Sequence, residues 1–295
     1  NDSDVVKMAV SYLSIISPGM IFFFMNPVFS TTLNSSGNSI TPFKINTIGL
    51  IINITLDPIL IFGIGPFPRL GVEGAAIATI TAQIVVTIIF LYTGSTMNSI
   101  YSHVRLIKAP DVSKIIRIAQ LGIPPFIQMG AHAVVSMVIT RIIAGFGAIP
   151  IAVQSIGSQI ESISWMTSEG FASAISAFVG QNYGAGKLKR IREGYTKGIQ
   201  VLGGLGIIAS ILLITAAEPI FYLFTPNDPE AIREGIVYLR ILGLSQFFMN
   251  IEIGATGAFN GLGKTVPPTV IGMTLNILRI PLAIILSTYT ALQLW

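Results

Sequence analysis

The chain has 295 residues, 52% of them hydrophobic and only 10% charged, with a mean hydropathy of +0.76 and a net charge of +4. A soluble domain carries about 25% charged residues, so this composition excludes one and points to a chain embedded in a bilayer. There is no cysteine, which excludes disulfides, a thiolate metal site and a thiol nucleophile.

Apolar stretches long enough to cross roughly 30 Å of hydrocarbon as helices recur along the whole length. The pattern predicts eight spans, at 6–32, 43–64, 73–96, 115–145, 148–180, 194–224, 232–259 and 266–292. The fold class is therefore an all-α, polytopic helical bundle in the lipid bilayer, expected in a plasma membrane and, for a bacterium, the inner one. Arg105, Lys108 and Lys114 fall in the connection at 97–114, with Arg117 just beyond. Lys187, Lys189, Arg190, Arg192 and Lys197 fall at 181–197, and Lys264 at 260–265. These are every second connection, which the positive-inside rule makes cytoplasmic. The alternate connections hold Arg69, no charge at all, and Asp228 with Glu230. Asn1 and Trp295 are then both expected on the outer side. Asn1 to Asp4 is acidic and lacks the basic n-region of a signal peptide, so the chain is expected to begin inside a longer protein. The basic loops explain a pI of 9.4; spread over short connections, they do not form a nucleic-acid-binding face.

An internal repeat emerges at an offset of 226 residues. It superimposes Tyr12 on Tyr238, Phe22 on Phe248, Asn34 on Asn260, Gly37 on Gly263 and Pro42 on Pro268. After a slip of three, Asn53 meets Asn276 and Pro58 meets Pro281. Two helices thus occur twice in one membrane orientation, as in parallel transporter repeats. The repeat predicts a parent of two six-helix halves, with three helices absent before Asn1 and one after Trp295.

Polar groups inside the spans are the candidates for chemistry. Asp57, His132, Glu161, Glu169, Glu252 and Arg279 all fall there. Four carboxylates left ionised and unpaired would cost on the order of 10 kcal/mol, so at least some of them must meet cations, protons or Arg279. On the fifth span, Gln154, Ser158, Glu161, Trp165, Ser168 and Ala172 share a face by helical spacing, with Glu169 beside it. Ile160, Ile163 and Phe171, opposite, are expected to face lipid. The seventh span carries Ser245, Met249, Glu252, Thr256 and Asn260 as a stripe flanked by Gln246 and Asn250. The fourth carries Gln128, His132, Ser136 and Thr140 every four residues. Each acid reads either as a carboxylate neutralised by a proton, Na⁺ or a cationic drug, or as a structural group held by a neighbouring helix or by Arg279. His132 reads as a titrating group or a packing one. Asp57, next to Pro58, and Arg279, close to Pro281, read as structural polar groups at helix bends, where proline frees a carbonyl. Pro18, Pro27 and Pro124–Pro125 are further expected bends. Arg141, at the outer end of its span, is expected to snorkel.

GAFNGLGKT resembles a phosphate-binding loop but has Ala258 where glycine is needed, and GAGKL at 184–188 lacks the final hydroxyl residue. No nucleotide partner is expected. QNYGAGK reads instead as a tight helix connection, with Gly184 and Gly186 supplying positive φ. No HExxH or GxSxG constellation suggests an enzyme.

The runs LDPILIFGIGPFPRLGVEGAAIATITAQ, QIESISWMTSEGFASAISAFVGQNYGAGKLKR and GAFNGLGKTVPPTVIGMTLNILRIPLA resemble the multidrug and toxic compound extrusion (MATE) transporters of the MOP superfamily. The resemblance covers essentially all residues. It implies two pseudo-symmetric lobes of a twelve-helix, cation-coupled antiporter, of which this chain looks like helices four to eleven. Residues 1–97 would be the last three helices of the N-lobe, 98–114 a cytoplasmic linker, and 115–295 five helices of the C-lobe. The implied cargo is small organic cations or amphipathic drugs, the implied coupling ion Na⁺ or H⁺, and no cofactor or further metal is expected of what should be a monomer. Candidate sites are then Glu161 and Glu252, with Na⁺ placed at either, together with Glu169, His132, Gln128, Gln246, Asn250 and Trp165. Family members place acids on the first and fourth C-lobe helices; here His132 or Gln128 stands in the first, and Glu252 lies about a turn from the usual acid. A lipid-linked oligosaccharide flippase of the same superfamily is the alternative, for which a cavity lined by several basic groups is expected.

Overall fold

The computed structural model describes residues 2–96 and 111–289. Among them are nine helices and no strand. The chain divides into two compact units, Asn1–Ala109 and Pro110–Trp295. Arg105 and Lys108, expected in a cytoplasmic connection, lie outside the described residues, as does the end of the last span beyond 289.

The first unit holds α1 (Asp2–Ser35), α2 (Ile40–Phe62) and α3 (Val72–Thr96). Helix α3 packs on both others, and Leu33, Ile45, Val86 and Phe90 form the buried cluster, closed by Phe29 stacked on Phe90 at 5.6 Å. Small residues bring α3 close, among them Ala76, Ala78 and Ala82, all buried. Asn26 stitches α1 to α3: its amide donates to Gln83 Oε1 at 2.7 Å, and its oxygen accepts from Thr87 Oγ1 at 2.7 Å. A buried amide satisfied on both ends fixes the register of the two helices.

The second unit holds α4 (Val112–Ala144), α5 (Ala148–Gly184), α6 (Leu188–Thr215), α7 (Ala217–Phe224), α8 (Pro229–Gly261) and α9 (Val266–Tyr289). Helix α8 lies against α5 and α6, while α9 pairs chiefly with α4. Val153, Leu213, Ala217, Phe221, Ala231 and Leu239 form its main core. Helices α1, α2, α4 and α9 run on through their internal prolines. The sixth predicted span, by contrast, is two helices broken at Ala216. Pro219 has no N–H to return to Thr215, so α6 ends and the proline becomes the third residue of a new helix, where no intrahelical donor is needed.

Among the described residues seven helices are long and apolar enough to cross a membrane, and the chain is a multi-pass membrane protein. Large apolar side chains such as Phe24, Phe43, Phe126 and Met137 stand exposed, as a lipid-facing surface requires. Helix α5 is the long helix outside those seven, because its polar residues lower its hydropathy. At 37 residues it is still about 55 Å long at 1.5 Å per residue.

The repeat is visible in the backbone. Shifted by 226, α1 and α2 coincide with α8 and α9 almost to the residue. The turns between them match as well. Gly37 (φ 89°) donates to Asn34 O at 3.0 Å and Asn38 to Leu33 O at 3.0 Å, while Gly263 (φ 69°) donates to Asn260 O at 2.9 Å and Lys264 to Phe259 O at 3.0 Å. The α5–α6 connection uses the same closure, Gly186 to Tyr183 O at 3.0 Å and Lys187 to Asn182 O at 2.8 Å. Only Gly186, at φ 69°, needs the left-handed region there; Gly184 is the last residue of α5, contrary to expectation.

Candidate cation and substrate site

The site is built on α5 and α8, which run parallel and approach closely through small residues. Gly157 faces the Tyr238 ring, Gly257 lies over the Ala172 backbone and Gly261 over that of Ser176. This is the small-residue packing expected where no hydrophobic force drives helices together. The packed face of α5 is Val153, Gly157, Ser168, Ala172, Ile175 and Val179, so the predicted polar face is rotated slightly. Trp165 lies off it at 43% exposure, and Ile160 packs on the main core instead of facing lipid. Ile163 does face outward. The reason is that glycine, alanine and serine, not polarity alone, decide which side of α5 meets α8.

Buried polar groups cross this contact. Ser168 Oγ donates to Asn250 Oδ1, and Asn250 Nδ2 donates to Gln246 O at 2.7 Å. Gln246 is fully buried; its Nε2 donates to Leu242 O at 3.4 Å, its side chain stands beside the half-buried Glu161 carboxylate, and its Oε1 is left without a partner. Tyr238 stands beside Ser158 and in the electrostatic reach of Glu161.

From α9, Arg279 Nη1 donates to Asn276 Oδ1 at 3.3 Å, and Asn276 Nδ2 is 3.2 Å from His132 Nδ1 on α4. Arginine only donates, so the amide oxygen must face it and the amide nitrogen must face the histidine. His132 Nδ1 therefore accepts, and a neutral ring carries its proton on Nε2. Arg279 acts electrostatically on His132, Glu161 and Tyr238. Among the described residues it makes no ion pair; Lys114–Asp111, at 3.6 Å, is a surface pair elsewhere. Two turns earlier on α9, a Cβ on Gly272 would touch the Gln128 amide and lie 3.8 Å from Glu252 Oε1. Gly272 thus leaves room for Gln128 and Glu252 to meet.

The structure accordingly brings Gln128, His132, Glu161, Gln246, Glu252 and Arg279 to the seam where the α4–α9 pair meets α5 and α8, with Asn250 beside it. Glu169 is exposed on α5 and makes no hydrogen bond or ion pair among the described residues. Asp57 belongs to the first unit, where Asn53 Nδ2 lies 3.5 Å from both its Oδ1 and Thr79 Oγ1. The half-buried Phe247 sets its ring against Gly203 and its backbone against Gly206 of α6. Asn276 and Tyr238 were absent from the predicted site. The signal that finds them is the repeat, which preserves both as non-apolar positions opposite Asn53 and Tyr12.

The family model described as MatE matches residues 1–59 and 124–285. A probable multidrug resistance protein NorM of Thermotoga maritima is 30% identical over 298 residues, covering 99% of this chain and 63% of that protein. An FAD transporter of Shewanella oneidensis is 31% identical over 265 residues, covering 85% of this chain and 56% of its own length. Two solved structures share the fold. One, described as the outward-facing conformation of a multidrug resistance MATE family transporter of the MOP superfamily, has a TM-score of 0.90 at 21% identity over 98% of this chain and 64% of its own. The other, a MOP superfamily transporter from Pyrococcus furiosus described by the reverse polarity of its binding pocket, has a TM-score of 0.89 at 22% identity, also over 98% and 64%. The chain spans less than two thirds of the length of each.

Proposed function

This chain belongs to the MatE family, that of the MATE transporters, and on that premise we propose that it works in a secondary transporter exporting organic cations and amphipathic drugs in exchange for Na⁺ or H⁺. The relatives named as multidrug resistance proteins and as an FAD transporter support small-molecule transport. The observation that carries the reading is the convergence of Glu161, Glu252, Gln246 and His132 at one seam of the second unit. An ionised acid at membrane depth costs about 2.5–3.5 kcal/mol unless something neutralises it. A bound cation does so, and whichever cation occupies a carboxylate excludes the other.

In this reading the first unit is the back half of the N-lobe, the second belongs to the C-lobe, and transport is by alternating access. Ion entry from outside neutralises Glu161 or Glu252, weakens the hold on the drug and releases it. The reciprocal is required by linkage: drug binding from inside must expel the ion. Gln246 stands beside the Glu161 carboxylate, and its unpartnered Oε1 offers a neutral oxygen to a small cation, as hard cations prefer.

Replacing Glu161 and Glu252 separately by Gln in the complete protein, and following ethidium efflux from cells, tests the assignment. Efflux is expected to fall in at least one variant; unchanged efflux in both overturns it.

A further inference from the structure

Arg279 is a cation in a site otherwise suited to cations. It sits on the face of α9 that also carries Gly272 and Asn276, at spacings of seven and three residues, and so looks into the seam. Its reach to His132, Glu161 and Tyr238 puts it among α4, α5 and α8. One guanidinium nitrogen is used, in a 3.3 Å bond to Asn276. The side chain is exposed and makes no ion pair among the described residues. An arginine whose only task was to neutralise Glu161 would be expected to form the bidentate contact that guanidinium and carboxylate geometry favours. Instead Asn276, itself braced by His132 at 3.2 Å, holds the arginine and leaves most of its donors free.

The acid and the base are also spaced. Glu252 lies at the level of Gly272, and Arg279 is seven residues further along α9. At 1.5 Å per residue, this separates the two charged levels by about 10 Å along the helix. We propose that Arg279 is the anion-recognising arm of the transport site, so that the site takes amphiphiles carrying both a cationic centre and an anionic group such as a carboxylate. The cationic centre sits at Glu252 and the anionic group accepts from the Arg279 fork. This rests on the export reading for the site's location, and it narrows the cargo class.

The test is equilibrium binding to the purified complete protein in detergent, read by fluorescence anisotropy. Rhodamine B, a cation with a free carboxylate, is compared with its ethyl ester, a cation of nearly the same shape without one. The wild type is expected to bind rhodamine B about tenfold more tightly, as a charge-assisted bond warrants. Arg279→Gln should erase that preference, so that the two dyes bind with equal affinity, and Arg279→Lys should restore part of it. Equal binding of the two dyes by the wild type, binding of neither, or an equal loss for both dyes in Arg279→Gln overturns the proposal. Energised dye uptake by vesicles is scored separately: binding with the expected preference but no uptake refutes the export reading and leaves the anionic arm standing.

Discussion

The contact between α5 and α8 sets the positions of Glu161 and Gln246, and one glycine tests it. A Cβ on Gly257 would lie 2.5 Å from the Ala172 carbonyl oxygen and 2.9 Å from its Cα. Both are backbone atoms that no rotamer change can move, so the helices must separate by roughly 1 Å to reach ordinary contact. Overpacking of this kind costs about 1–3 kcal/mol. Alanine also gains about 1 kcal/mol of helix propensity over glycine, which masks part of the effect. Gly204, on α6, supplies the control, since a Cβ there meets nothing within 4 Å. Comparing Gly257→Ala with Gly204→Ala cancels the propensity gain and isolates the steric term. The assay is the thermal unfolding midpoint of the complete protein in detergent. With roughly 2–4 °C per kcal/mol for a large domain, Gly257→Ala should melt about 2–12 °C below Gly204→Ala. Equal midpoints would refute the close α5–α8 contact.

Three further outcomes are expected. The Ser168–Asn250 bond should appear in a double-mutant cycle of Ser168→Ala and Asn250→Ala as a coupling of about 0.6–1.7 kcal/mol, the range for polar contacts in membranes, measured by the same unfolding midpoints. Gly186→Ala, at φ 69°, should destabilise by about 1–2 kcal/mol, whereas Gly184→Ala, in open space at the end of α5, should be neutral or stabilising. In the first unit, Asn26→Leu removes the partner of Gln83 Oε1 and one of the two acceptors of Thr87 Oγ1 and should cost about 1–3 kcal/mol. Asn46→Leu, whose side chain bonds Ser30 at an exposed position, should stay within about 0.5 kcal/mol of wild type by thermal melting.

Much of this architecture was legible in the residues. Long apolar runs and alternating basic connections gave eight membrane segments, and the offset of 226 matched helices and turns that the backbone repeats, down to Gly37 and Gly263. The break in the sixth span was not foreseen, because the hydropathy of 194–224 is continuous and only Pro219 marks the interruption. Polarity brought Glu161, Glu252, Gln128 and His132 into consideration. It could not separate them from Glu169, which shares the composition of its neighbours but lies outside the packed face. That distinction depends on the small residues at 157, 168 and 172, which set the rotation of α5. Arg279 was read as a bend-associated structural group; its bond to Asn276 and its place among four helices depend on the pairing of α9 with α4, which no local pattern encodes.

The most direct test of the account places the purified complete protein in proteoliposomes without ATP and imposes a Na⁺ or a proton gradient while ethidium movement is followed. At least one gradient should drive ethidium against its concentration difference, and the Glu161→Gln, Glu252→Gln double variant should abolish that movement. Ethidium transport insensitive to both gradients, or undiminished in the double variant, would contradict a cation-coupled exporter working through these acids.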